Sequence, residues 1–257
     1  MKLTFLGTGT STGVPQMRCR CATCTSDDPR DKRLRTSALV TLDSGANILI
    51  DCGPDFRAQM LAAGCPDLAA LLVTHSHYDH VGGIDDLRPY CPDAPDGHFP
   101  VYCQADVATD LRNRVPYCFA EKLYPGVPTY AIHEISPGQS FRVAGDEIIP
   151  LPVLHYRLPI VGFRIGGLSY VTDCKTMPAS TIELMRGTDT LVINALRHQK
   201  HISHLNLREA LDVIKEVAPR RAFLTHISHD MGRHAETCSL LPEGVEEAFD
   251  GMTAEIP

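Results

Sequence analysis

Thr74-His75-Ser76-His77-Tyr78-Asp79-His80 places three imidazoles and a carboxylate within six residues, directly after the apolar strand pattern Ala69 to Thr74 and just before Gly82-Gly83. Imidazole is the commonest metal-ligating side chain. On an extended loop His75 and His77 point to one side while Asp79 and His80 swing to another, so this one segment can reach two ions. A polar surface loop rich in histidine, or an engineered tag, would lack the frame of an apolar strand and a Gly-Gly turn.

Outward from this segment, the chain alternates strand and helix patterns. Leu3 and Phe5 read as a strand entering the glycine-rich turn Gly7-Thr8-Gly9-Thr10. Ser37 to Leu42 and Asn47 to Ile50 are β-prone runs joined by Asp43-Ser44-Gly45-Ala46, which is hairpin chemistry. Pro54 to Ala63 reads as a helix with Gly64 as its cap, and Gly82 to Tyr90 as a short helical stretch. Pro100 to Cys103 is a strand, Asp106 to Arg114 a helix, and Pro116 to Pro128 a proline-punctuated loop. The second half repeats this rhythm: strands at Tyr130 to Ile135, Glu147 to Leu154, Val161 to Ile165 and Leu168 to Thr172, a helix at Pro178 to Arg186, and a strand at Thr190 to Ala195. A helix at Leu207 to Val217 follows, its start marked by the capping box of Asn206 and Glu209. The strand Arg221 to Thr225 ends at His226.

These patterns predict an α/β fold, an αββα sandwich of two mixed β-sheets with helices on the outer faces, as a single domain over residues 1–257. Hydrophobic residues at 44% and charged residues at 21% allow a full core without disulfide staples. The net charge of −7 argues against a nucleic-acid polymer as partner, since counterion release needs an excess of Lys and Arg. A small anionic substrate is compatible, because bound cations reverse the local field inside a pocket. The N-terminal apolar run is too short for a signal peptide and no stretch is long enough to span a bilayer, so the expectation is a cytoplasmic protein with no membrane partner. In that compartment the ten cysteines read as thiols and metal ligands rather than a disulfide framework.

His-x-His-x-Asp-His resembles the signature of metallo-β-lactamase-fold hydrolases. The resemblance implies further ligands at later strand ends, and three polar residues terminate apolar runs: His155, Asp173 and His226. By that resemblance His75, His77 and His155 hold one metal, Asp79, His80 and His226 hold a second, and Asp173 bridges them. Two divalent ions about 3.5–4 Å apart acidify a shared water and neutralise charge on a phosphoryl or acyl oxygen. Asp51 matches a family position that supports the histidine loop. His77 separates the chain from the redox di-iron members of the fold, which carry a carboxylate there.

Cys19-Arg20-Cys21-Ala22-Thr23-Cys24 offers three soft ligands in one turn and needs one more donor to close a tetrahedral zinc site; His229 is the candidate. Together with Gly7-Thr8-Gly9-Thr10-Ser11-Thr12-Gly13-Val14-Pro15 and the ending Phe249-Asp250-Gly251-Met252, this looks like the PhnP-type phosphodiesterases, nearly end to end. That resemblance implies a Cys3His structural zinc at Cys19, Cys21, Cys24 and His229, two active-site ions that are zinc or manganese, and hydrolysis of a cyclic phosphodiester of a sugar or nucleotide. His204 matches the family's active-site histidine and is the candidate general acid or leaving-oxygen stabiliser, a task suited to a group titrating near neutral pH. With Asp79 it forms the candidate catalytic pair. His198 and His201 lie close by in sequence, and the segment His198 to His204 differs in detail from the PhnP pattern, which leaves the substrate open. His98, His133 and His234 read as surface or packing residues.

Other readings make different demands. A thiolester hydrolase of the glyoxalase II kind needs a C-terminal helical substrate domain, for which too few residues follow His229. A tRNA 3′-end nuclease needs a basic glycine- and proline-rich arm, and an exported β-lactamase needs a signal peptide and lacks the bridging Asp. The contrasting class is a non-enzymatic metal-binding or regulatory protein on the same fold. The expected partner is a small phosphorylated substrate; the sequence leaves a homodimer open.

Overall fold

A computed structural model of the chain describes residues 1–257. The first sheet takes, in chain order, β1 (Lys2–Gly7), β2 (Ser37–Thr41), β3 (Asn47–Ile50), β4 (Ala70–Leu72), β5 (Phe99–Cys103) and β6 (Tyr130–Glu134). The second takes β7 (Phe141–Val143), β8 (Asp146–His155), β9 (Leu158–Ile165), β10 (Leu168–Val171), β11 (Thr190–Asn194), β12 (Arg221–Thr225) and β13 (Val245–Glu247). The last strand, β14 (Thr253–Glu255), returns to the first sheet and pairs antiparallel with β1. The resulting orders are β14-β1-β2-β3-β4-β5-β6 and β13-β12-β11-β10-β9-β8-β7. In each sheet the consecutive strands start antiparallel and then turn parallel, from β3 to β6 in one and from β10 to β13 in the other.

Strands buried on both faces explain the unbroken apolar runs. Along β3 and β4, Ile48, Ile50, Ala70 and Leu72 face the other sheet and meet Phe163, Tyr170, Val192 and Phe223. Their alternates Leu49 and Leu71 face outward, toward Phe56, Met60 and Leu111. Likewise Leu191, Ile193 and Leu224 turn outward to Ile182, Met185 and Ile214. This is the expected αββα sandwich, with helices α1 (Phe56–Ala62), α2 (Tyr78–Val81) and α3 (Ala105–Arg114) in the first half and α4 (Ala179–Met185), α5 (Leu207–Val217) and α6 (His234–Cys238) in the second. The capping box at α5 is formed: Asn206 Oδ1 accepts from the Glu209 N–H at 2.9 Å and Glu209 Oε2 from the Asn206 N–H at 2.9 Å. Such a cap stabilises a helix by about 1 kcal/mol.

Differences from the sequence reading are local. The helix expected from Pro54 begins at Phe56, and Gly64 takes φ +81° just past its end. The stretch expected to be helical from Gly82 is a 3-10 helix, Ile84–Tyr90, with Pro89 inside it. Strands β7, β13 and β14 were not foreseen; three residues each are too few to display alternation. No helix is long and apolar enough to cross a membrane.

Candidate metal centre

Five strands deliver polar residues to one place. β3 ends before Asp51, β4 ends at Leu72 and the chain continues through Val73 and Thr74 to His75, β8 ends on His155, β10 ends before Thr172 and Asp173, and β12 ends before His226. Asp51, Asp173 and His226 all adopt left-handed backbone, with φ of 62°, 55° and 55°. The motif itself is part loop and part helix, which corrects the all-loop reading. His77 is the extended residue at the start of α2, and Asp79 and His80 lie in that short helix, so a helical turn swings them round. α2 is bonded to the Asp51-Cys52-Gly53 segment: the Cys52 N–H donates to His80 O at 2.7 Å and the Gly83 N–H to Cys52 O at 2.9 Å. The approach requires glycine, since a Cβ on Gly53 would stand 2.1 Å from Asp79 O and one on Gly83 2.1 Å from Gly53 O.

All seven predicted ligands come together. Ligating atoms of Asp79, His80, Asp173 and His226 lie within 4.8 Å of one another. His80 Nε2 is 3.2 Å from both Asp79 Oδ2 and Asp173 Oδ2, and His226 Nδ1 is 3.2 Å from Asp173 Oδ2. On the other side, His75 Nε2 and His77 Nδ1 are 3.0 Å apart, with the His155 ring 5.7 Å and 5.1 Å from theirs. A further triplet joins His155, Asp173 and His204. Asp173 therefore stands between two groups of nitrogen donors.

Hydrogen bonds behind these rings set which nitrogen faces inward. His80 Nδ1–H donates to Asp51 Oδ2 at 2.7 Å, and the Thr74 N–H donates to Asp51 Oδ1 at 2.8 Å. Thr74 Oγ1 donates to Asp51 Oδ2 at 2.8 Å and accepts from His75 Nδ1–H at 3.0 Å. His155 Nδ1–H donates to the Asp173 carbonyl at 2.8 Å. In all three histidines Nε2 is left for a ligand, and Asp51 plays the supporting part expected of it. His226 has a threonine at each ring nitrogen, both missed by the sequence reading: Thr10 Oγ1 is 3.2 Å from Nε2, and Thr36 Oγ1 is 3.2 Å from Nδ1, the nitrogen that also faces Asp173. Thr10 belongs to the glycine-rich turn, which Asp250 holds by accepting from the Thr8 N–H at 2.9 Å and the Leu34 N–H at 2.6 Å.

The electrostatics suit a cation. Burial, with the charge on His80, holds His75 well below the usual imidazole range, and burial also lowers His77 and His226. Burial would raise Asp173 and Asp79, yet His226 and His80 keep Asp173 well below the carboxylate range and His80 lowers Asp79. Burial opposes charge on His80, but Asp173, Asp51 and Asp79 together push its pKa well up. His80 Nε2 is buried, has no hydrogen-bond partner and faces two carboxylates. A divalent ion fits there better than a proton, because it satisfies Nε2 and both acids together.

His204 sits against this centre, its ring 4.7 Å from His155 and 4.9 Å from His226, with Nδ1 3.6 Å from Asp173 Oδ1 and unpartnered. The expectation of a group titrating near neutrality needs correcting: burial and the charge on His226 push its pKa down to about 3. At neutral pH it is an uncharged hydrogen-bonding ring. His201 continues the row, 5.1 Å from His204, whereas His198 turns away to the Met231 carbonyl at 2.9 Å.

All ten cysteines are free thiols, and Cys19, Cys21, Cys24 and His229 form a separate cluster with ligating atoms within 4.8 Å. His229 Nδ1 lies 3.4 Å from Cys19 Sγ and 3.3 Å from Cys21 Sγ. Burial raises Cys21, but the Cys24 N–H and His229 outweigh it and bring the thiol down to about 6, while burial pushes Cys24 up to about 12. One ionised thiol among three soft donors is a ready zinc ligand set. His98 and His133 are exposed, His133 stacked on Tyr102 at 4.6 Å, whereas His234 is buried.

Residues 46–227 match the β-lactamase superfamily domain. Over its whole length the chain is 42% identical to an octanoyltransferase from Porphyromonas gingivalis, of which it spans 52%. It superposes on the crystal structure of a diphosphatase from the PhnP family with a TM-score of 0.92 at 37% identity, covering 100% of this chain and 98% of that one. Zn(2+)-bound PqqB from Methylobacterium extorquens shares the fold, at a TM-score of 0.80 and 20% identity over the full length of both chains. The chain belongs to the β-lactamase superfamily, in the PhnP-type subgroup of the metallo-β-lactamase fold.

Proposed function

We propose that the chain is a metal-dependent hydrolase that opens a cyclic phosphodiester of a sugar or nucleotide. One observation carries the reading: six donors, four from one motif and two from later strand ends, converge on two sides of Asp173, with His204 alongside. His75, His77 and His155 would hold one ion and Asp79, His80 and His226 the other, with Asp173 between them. Zinc or manganese held there would acidify a water and offset the charge that builds on phosphoryl oxygens.

The chain's own groups do the rest. Asp51, Thr74 and the Asp173 carbonyl fix the ring orientations of His80, His75 and His155. Neutral His204 donates a hydrogen bond to the leaving oxygen, a placement consistent with its unpartnered Nδ1 beside Asp173. Similarity to a PhnP-family diphosphatase supports a phosphoryl rather than an acyl substrate. The octanoyltransferase name belongs to a protein about half of which lies outside the match, so acyl transfer is not carried over. Cys19, Cys21, Cys24 and His229 would hold a structural zinc, closed to substrate. A small phosphorylated substrate and a cytoplasmic setting complete the proposal.

The test is turnover of bis(p-nitrophenyl) phosphate by protein loaded with zinc or manganese. Activity should collapse in Asp79→Ala and fall in His204→Ala; wild-type rates in both would assign the activity to another site. Fully loaded protein without turnover would favour the non-enzymatic reading. A screen of 2′,3′-cyclic nucleotides, 3′,5′-cyclic nucleotides and 1,2-cyclic ribose phosphates then identifies the substrate.

A further inference from the structure

Near its C-terminal end the chain holds another cluster of ligating groups, separate from the two above. α6 places His234 and Cys238 one turn apart, with Cys238 Sγ 3.5 Å from His234 Nε2. The edge strand β13 ends on Glu247, and one ligating atom from each of His234, Cys238 and Glu247 lies within 4.8 Å of the other two. His234 and Glu247 are 5% and 1% exposed. Arg33, also buried, pairs with Glu247 Oε1, and Asp31 Oδ1 accepts from the His234 N–H at 2.7 Å. Three buried atoms find no hydrogen-bond partner: Glu247 Oε2, His234 Nδ1 and Asp31 Oδ2. Orphaned buried polar atoms are rare in native structures, because each forfeits its hydration.

We propose that His234, Cys238 and Glu247 form a further metal site, taking zinc as a clamp between α6 and the edge of the second sheet. Sulfur, nitrogen and oxygen donors in one group suit zinc and disfavour magnesium or calcium, with water filling the fourth tetrahedral position. Arg33 holds Oε1 of Glu247 and the Thr237 hydroxyl, the other side chain beside that carboxylate, donates to the Met231 carbonyl, so Oε2 is the oxygen left for the ion. Charge balance points the same way. The buried charged groups around the cluster, the Arg33 guanidinium and the Asp31 and Glu247 carboxylates, carry one negative charge in excess when both acids are ionised. A divalent ion bound with Cys238 as its thiolate brings that group to neutrality, the condition a dry interior favours.

Binding replaces the Cys238 S–H bond with a sulfur–zinc bond and releases the proton to solvent. His234 needs no such change, since burial pushes it down to about 4 and keeps it neutral. The rival occupant is a proton. Burial pushes Glu247 up to about 7, and a protonated carboxyl would meet the same charge excess without any ion.

Metal content separates the two. Wild type, Cys238→Ala, Glu247→Gln and Cys65→Ala are saturated with zinc, freed of loose ions by gel filtration and analysed for bound zinc. Wild type and Cys65→Ala, which changes an exposed thiol, should hold one zinc more per chain than the other two. Zinc equal to wild type in either Cys238→Ala or Glu247→Gln overturns the site. Should the variants misfold, wild type alone suffices. Iodoacetamide labelling of Cys238, mapped by mass spectrometry, should be about tenfold slower in zinc-loaded than in chelator-treated protein. Equal labelling overturns the proposal.

Discussion

Replacing Asp51 by Asn isolates the group that orients the metal centre without touching a proposed ligand. The buried carboxylate accepts from His80 Nδ1–H at 2.7 Å, from the Thr74 N–H at 2.8 Å and from the Thr74 hydroxyl at 2.8 Å. Asn keeps the volume and one acceptor, which can still serve the Thr74 N–H. Its amide NH2 then falls on the Oδ2 side, facing the ring N–H of His80 donor to donor. His80 must rotate or move its proton to Nε2, and either change turns the inward nitrogen away from Asp79 and Asp173. Loss of such a supporting partner weakens metal affinity by roughly 10–100-fold, about 1.4–2.7 kcal/mol. The effect should fall on the ion held by Asp79, His80 and His226 and spare the one held by His75, His77 and His155. Titration against a chromophoric zinc chelator should therefore show one tight and one weakened active-site equivalent, with phosphodiester turnover falling in step with the second. Two unchanged active-site affinities in correctly folded Asp51→Asn would refute the idea that Asp51 fixes the His80 tautomer.

His204→Ala should lower kcat by roughly 10²–10³-fold, the loss of one hydrogen-bond donor to a developing charge, with bound metal unchanged; loss of an ion would make His204 a ligand instead. Gly53→Ala puts a Cβ 2.1 Å from Asp79 O, so α2 must shift by about 1 Å, a displacement able to cost roughly 100-fold in turnover; wild-type kcat/KM and Tm would contradict the close-packing account. Joint substitution of Cys19, Cys21 and Cys24 by Ser should remove one chelation-resistant zinc and lower Tm, because a closed structural site contributes its binding energy to folding; unchanged metal content and Tm would remove that site.

The fold and the convergence of seven candidate donors were legible because each donor either lies in one dense motif or follows an apolar run, and a strand buried on both faces announces its own end. Other features depend on contacts that no local pattern encodes. Thr10 and Thr36 reach His226 across 216 and 190 residues; Thr10 lies in a glycine-rich motif that stood out, but nothing local to it or to Thr36 points to His226. α2 is four residues long and two of the four are candidate ligands, so no amphipathic periodicity could show it. His204 was identified, but its pKa follows from burial and the charge on His226, which only the assembled fold supplies. His234 was read as a surface or packing residue: its partner Cys238 lies on a five-residue helix and Glu247 on a three-residue strand, both too short to display a pattern.

The turn of the backbone at three strand ends explains how so many donors share one small volume. A strand continued through Asp51, Asp173 or His226 would send each side chain out along the sheet normal, into one of the packed layers. Left-handed φ at these positions, 62°, 55° and 55°, turns the chain back on itself just where the strand stops. The side chains are thereby carried over the end of the sheet. That conformation costs an ordinary residue on the order of 1–2 kcal/mol. Asp and His are among the few types that enter it readily, so the residues chemistry needs are also those the backbone tolerates there. The two parallel segments thus present strand ends that are bent toward a common centre before any ion arrives. Replacing His226 by Val would test this apart from ligation: a β-branched residue resists positive φ, so it should lower Tm in chelator-treated protein further than Ala does. Equal Tm for the two variants would mean that the turn at β12 exerts no conformational demand of its own.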